Sequence, residues 1–227
     1  MANSVELLHE DAGLLVLNKP AGLLVHPTQL DAHEADTLLG RAEAQFGQKL
    51  YPAHRLDKGT SGVLLMARDP VSAALLGEAF REGRVAKRYL GLVRGWPKGA
   101  EGVIDHPLAR DPERPSQGQP LLPAQTHWRC LRRFEWPVLT QPGFPSTRGA
   151  LLELAPLQGR RHQIRRHCKH AAHPLIGDAT HGKGLLNRTL AAHFGLTRLW
   201  LHAAWLRLPD GRCFQAPPGT EWQALPS

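Results

Sequence analysis

Asp57 lies between two fixed cations, Arg55 and Lys58, in the run His54-Arg55-Leu56-Asp57-Lys58-Gly59-Thr60-Ser61-Gly62. A carboxylate in such a setting suits covalent attack or removal of a proton. The apolar run Val63-Leu64-Leu65-Met66 follows at once and reads as a buried strand. A loop held against such a strand can aim one side chain with little freedom. Gly59 and Gly62 allow a tight turn or the close approach of another backbone. A solvated turn with a surface ion pair is the plain alternative for this segment alone.

A second segment points to an anionic ligand. From Gln158 to Ala172 there are five Lys or Arg residues and no carboxylate. A helix over His162 to Ala172 would bury Ile164, Cys168 and Ala171 as a stripe, with Arg161 and Arg165 one above the other on its flank. One arginine could then reach an inward partner while Arg160, Arg161 and Arg166 face solvent or a ligand.

Taken together and in order, the motifs are specific. His-Arg-Leu-Asp-x-x-Thr-Ser-Gly is followed by Lys87-Arg88-Tyr89, by Gly159-Arg160-x-His162-Gln163-Ile164-Arg165 and by His173-Pro174-Leu175-Ile176-Gly177-Asp178. This series resembles the RluA-type pseudouridine synthases, and Leu17-Asn18-Lys19-Pro20-Ala21-Gly22 resembles the family's opening hairpin. The resemblance implies an α+β fold, a central mixed but mainly antiparallel sheet with flanking helices and a catalytic cleft. It makes Asp57, Arg165 and Tyr89 the catalytic residues, with Tyr89 stacked on the target base and Arg55 holding the flipped conformation. Leu175 and Ile176 become the apolar floor under that base, and His54, Lys87, Arg160, Arg161 and Arg166 join the RNA-binding set.

The implied reaction breaks the bond from N1 of uridine to the ribose, rotates the base and joins C5 to the same carbon. No atoms are gained or lost, so no cofactor is required. The residues leave the covalent and glycal routes equally open. A facing Arg165 would offer Asp57 up to about 4 kcal/mol of Coulomb attraction at 4 Å with an effective dielectric near 20, before desolvation.

The elements that must position these groups can be read from the chain. Val5 to Leu8, Leu14 to Leu17 and Leu23 to His26 read as strands, as do Tyr89 to Val93, Gly102 to Ile104, Thr126 to Arg132 and Ala150 to Leu154. Helices are expected from Asp36, from Asp69 with Pro70 in the first turn to about Glu82, and near Leu190 to Phe194. Ala109 to Pro123, rich in Pro, Gly and Gln, reads as a mobile surface loop, and Pro209-Asp210-Gly211 as the turn of a closing hairpin.

Composition bounds the partner. With 227 residues, 42% apolar, the chain can bury a sizeable core and is expected to form a single catalytic domain, 1–227, without a separate N-terminal RNA-binding domain. The formal charge of +8 favours a polyanion. Apolar runs are too short for a spanning helix, and Met1 to Glu10 lacks signal-peptide character. Cys130, Cys168 and Cys213 are few and far apart, which suits reduced thiols in the cytoplasm.

Two rival readings are weaker. His162, His167, Cys168, His170 and His173 have metal-ligating types, as in a zinc nuclease or deaminase, but the surrounding arginines would repel a dication. An inactive RNA-binding protein would not need Asp57, Tyr89 and Arg165 together. No metal is expected. Within the family, Thr180-His181-Gly182, Asn187-Arg188, Val93-Arg94-Gly95-Trp96 and the segment from His193 to Ala203 resemble the members that act on uridine 65 in the T stem of tRNA. The expected partner is therefore tRNA, with a ribosomal-RNA site as the alternative and a monomeric enzyme as the acting form.

Overall fold

Asp69 and Pro70 open a helix as their chemistry requires. The Asp69 carboxylate accepts from the Ser72 amide at 2.8 Å, and proline at the first helical position gives up an amide that has no partner there. The computed structural model describes residues 4–27, 36–140, 143–223 and 225. In chain order the elements are β1 (Glu6–Glu10), β2 (Leu14–Lys19), α1 (Leu38–Phe46), β3 (Tyr51–Pro52), β4 (Ser61–Ala67), α2 (Pro70–Arg81), β5 (Ala86–Arg94) and β6 (Glu101–Asp105). They continue with β7 (Leu108–Ala109), β8 (Leu121–Leu122), β9 (Gln125–Trp136), β10 (Thr147–Pro156), α3 (Gln163–His170), α4 (Gly184–Phe194), β11 (Leu201–Arg207), β12 (Cys213–Gln215) and α5 (Thr220–Gln223). This is the expected α+β class, with antiparallel pairing in every register described.

The chain forms two units, 1–86 with 203–217, and 87–202 with 218–227. In the first, β2 lies between β1 and β4, β3 pairs with β4, and β12 pairs with β11. Every residue of β4 is buried, which is why it reads as a continuous apolar run. Leu14, Val16, Val63 and Leu65 pack with Leu206 and Phe214, and Leu76 and Phe80 of α2 close over them. The expected strand from Leu23 to His26 is reduced to one bridge, Leu24 to Thr37. The Leu24 and Val25 carbonyls instead accept from the Leu38 and Leu39 amides, which α1 leaves without intrahelical partners. The helix cap is Thr37, whose hydroxyl accepts from the Gly40 amide at 3.1 Å. Asp36, the expected start, is paired with Arg41.

In the second unit the strand order is β5-β10-β9-β6. Alternation along β5 sends Val93 to one face and Leu92 to the other. Val93, Ala150, Leu152 and Leu154 meet Ile164 and Cys168 of α3. Leu92, Phe134 and Trp136 meet Leu186 and Leu190 of α4, with Trp200 and Trp222. The segment read as a mobile loop is a built hairpin: β7 pairs with β8, and the Gln119 side chain bridges its arms by accepting from the Asp111 amide and donating to the Asp111 carbonyl.

Candidate active site

The Asp57 loop is fixed from below by the turn after β2. Lys19 is fully buried, and its ammonium donates to the carbonyls of Pro20 at 2.9 Å and Lys58 at 3.0 Å. The Gly22 amide donates to the same Lys58 carbonyl at 2.9 Å. Asp57 opens a turn closed by the Thr60 amide on its carbonyl, and Thr60 and Ser61 are buried. Gly62 then enters β4 at φ +112°, where a Cβ would stand 2.2 Å from the Ala203 carbonyl oxygen. Only glycine permits that approach.

The neighbours of Asp57 divide between structure and surface. His54 accepts from the Leu65 amide at 3.2 Å and stacks on Phe80 at 4.3 Å, so its ring seats the loop on β4 and α2. Arg55 is exposed. Burial, followed by the charge of Arg55, pushes the nearby His26 below the ordinary imidazole value.

In the second unit Tyr89 lies opposite Leu154 and packs on the Val93 face of the sheet. Leu175 and Ile176, each 1% exposed, are enclosed in the core. Leu175 bridges to Val93 and would collide with a side chain at position 91, so it supports the strand that carries Tyr89. Lys87 is buried with its ammonium on the Gln158 carbonyl at 3.4 Å, and desolvation lowers its pKa.

Arg165 is buried and grips a partner that the linear sequence shows only as part of a motif. Its Nε and Nη2 donate to the two carboxylate oxygens of Asp178, both at 2.8 Å. Burial alone would raise the Asp178 carboxyl, but hydrogen bonds from Arg165 and from the His181 amide outweigh it and hold the group below the usual carboxylate range. The other arginines of this segment, expected to face solvent or a ligand, make contacts within the chain. Arg160 donates to the Pro123 carbonyl, Arg166 to the Ala109 carbonyl, and Arg161 pairs with Glu113. All three secure the β7–β8 hairpin. Because His162 adopts φ +52°, α3 starts at Gln163 and Arg161 lies before it, off the helix flank.

The histidine-rich segment does not converge on a point. His162 contacts the His181 ring at 3.2 Å, His167 lies between the Thr126 hydroxyl and the His106 carbonyl, His170 stacks on His106, and His173 reaches the Arg94 carbonyl. Burial pushes the Cys168 thiol up to about 12. Among the described residues no three His, Cys, Asp or Glu side chains could hold a metal ion together, and no helix is long and apolar enough to cross a membrane.

A family model described as RNA pseudouridylate synthase matches residues 13–170, from β2 through α3. The chain belongs to that family. Its activity is the isomerisation of uridine in RNA to pseudouridine. Over 208 residues the synthase is 40% identical to tRNA pseudouridine synthase C of Vibrio cholerae, covering 89% of this chain and 84% of that protein. Over 211 residues it is 42% identical to the protein of the same name from Pasteurella multocida, covering 88% and 84%. Among solved structures it is similar to human RNA pseudouridylate synthase domain containing 1, with a TM-score of 0.73 and 27% identity over 97% of this chain and 85% of that one. Human RNA pseudouridylate synthase domain containing 4 has a TM-score of 0.71 at 27% identity, over 97% and 91%.

Proposed function

We propose that this synthase modifies tRNA, at uridine 65 of the T stem, and that Asp57 is its catalytic carboxylate. The observation that carries the choice of substrate is the identity of about two residues in five, over nine-tenths of the chain, to proteins named tRNA pseudouridine synthase C. The roles of the residues follow the family resemblance together with their chemistry. A base inside a stacked stem must be swung out, at a cost of a few kcal/mol. Arg55, exposed beside the Asp57 turn, has a planar guanidinium suited to stacking in the vacated space.

Tyr89 stacks on the displaced uracil, and Asp57 acts on the ribose while the base turns from N1 to C5. Arg165 accompanies the carboxylate as the buried cation of the reaction. The enzyme acts as a monomer in the cytoplasm, with residues 1–227 forming one catalytic domain. Incubating the protein with unmodified whole tRNA and with ribosomal-RNA fragments, then mapping pseudouridine, tests the substrate. Product in the T stem of whole tRNA, and none in a linear RNA of the same local sequence, is expected. Modification of a ribosomal hairpin with none in any tRNA would overturn the choice of RNA and leave the chemistry intact.

A further inference from the structure

We infer that Asp178 is a positioning residue for the reaction, fixing the guanidinium of Arg165, and that Asn187 of α4 holds Asp178 in turn. The inference rests on the role proposed for Arg165. Two parallel hydrogen bonds from one guanidinium edge to one carboxylate set both the position and the plane of the arginine head. They use two of its five donors and leave three for other acceptors. The carboxylate is itself immobile. Its side chain is 0% exposed, and Oδ1 also accepts from the amides of Thr180 at 3.0 Å and His181 at 2.8 Å.

The turn that presents Asp178 is held from the helix beside it. The Asn187 amide oxygen accepts from the Gly177 amide, and its nitrogen donates to the Asp178 carbonyl, both at 2.9 Å. One side chain on α4 thus bridges the residue before the carboxylate and the backbone of the carboxylate itself. Two glycines make room for this. A Cβ at Gly177, where φ is +77°, would stand 1.7 Å from the Arg198 carbonyl oxygen, and one at Gly182 would stand 2.3 Å from the Asp178 carbonyl oxygen and 2.9 Å from the Asn187 amide nitrogen. Stability alone gives little reason for this construction, because a buried ion pair is commonly no better than a well-packed apolar pair. Placing a catalytic cation to a fraction of an ångström does give a reason.

A double-mutant cycle tests it. Arg165→Lys, Asp178→Asn and the double variant are compared for kcat and KM on a whole tRNA transcript, with thermal melting as the check on folding. Asp178→Asn should lower kcat roughly 100-fold, the size of effect expected when a reacting group is misplaced by about 1 Å, with KM within about threefold. Asp178→Glu, which keeps the charge, should recover part of the loss. If Asp178 acts through Arg165, the double variant should be little slower than the slower single one. Multiplying losses, or a loss carried by KM, would overturn the inference while Arg165 kept its role. A fully active Arg165→Lys would instead remove that role. Should Asp178→Asn fail to fold, Asn187→Ala, expected to lower kcat about tenfold, takes its place in the same cycle.

Discussion

Gly62→Ala should damage this enzyme severely although the residue lies outside the reacting groups. The added Cβ would lie 2.2 Å from the Ala203 carbonyl oxygen and 2.7 Å from both the carbon and the nitrogen of that residue. Non-bonded atoms rest at about 3.5 Å, so β4 and β11 must part by roughly 1.3 Å. Overpacking of this kind costs about 1–3 kcal/mol, and a side chain at φ +112° adds about 1–3 kcal/mol of backbone strain. A loss of about 2–6 kcal/mol corresponds to a melting point lower by roughly 4–24 °C in a chain of this size.

The displaced residue follows the Asp57–Thr60 turn by two positions, so kcat should also fall roughly 100-fold. Gly77→Ala is the control. It sits in α2 with nothing within 4 Å of the point where its methyl group would stand, and removing a helical glycine should leave activity unchanged and stabilise by up to about 1 kcal/mol. Differential scanning calorimetry and single-turnover pseudouridine formation measure both. A Gly62→Ala enzyme that melts and turns over like wild type would refute the close approach. One that melts early yet keeps its kcat would break the proposed link from β4 to Asp57.

Asp57→Asn should abolish turnover and leave RNA affinity within a few-fold, because the amide keeps the shape and loses charge and basicity; measurable turnover would remove Asp57 from the centre of the mechanism. Tyr89→Ala should be inactive, and Tyr89→Phe should keep stacking without the hydroxyl, so their rates separate the ring from proton transfer; wild-type activity in Tyr89→Ala would take this residue out of the site. Cys168, buried with its thiol pushed up to about 12, should resist alkylation in the folded protein while exposed Cys213 reacts, as mass spectrometry of labelled peptides will tell. Burial, reinforced by the charges of Arg165, His162 and Lys169 against the opposing Asp178, pushes His181 down to about 4 from 6.5. Between those values the unfolded chain binds more protons, so unfolding free energy should rise with pH across that window. His26, His106 and His167 are lowered too and act with the same sign. Urea midpoints from pH 4 to 7 should therefore climb, less steeply in His181→Asn, and an unchanged slope in that variant would contradict the burial argument.

Short-range chemistry was legible in the chain. The Asp69-Pro70 cap, the apolar run of β4 and the turn at Pro209-Asp210-Gly211 depend on residues within a few positions of one another, and all three stand where their local preferences place them. So do the motifs around Asp57 and Arg165, whose order along the chain points to one chemistry. Partnership was the part that the linear pattern hid. The absence of carboxylates from Gln158 to Ala172 points to an anionic ligand but hides the internal partners, since the carboxylate on Arg161 comes from Glu113, 48 positions away, and that on Arg165 from Asp178, 13 positions away. Lys19 stands in the sequence only as part of the opening-hairpin motif, and the structure buries it with its ammonium on the Lys58 carbonyl, 39 positions on. The Gly177-Asp178 pair held the one available clue, since a glycine followed by an acid marks a tight turn that presents a carboxylate. A side chain's burial and its partners are set by which strands and turns close around it, and only the tertiary structure fixes that closure.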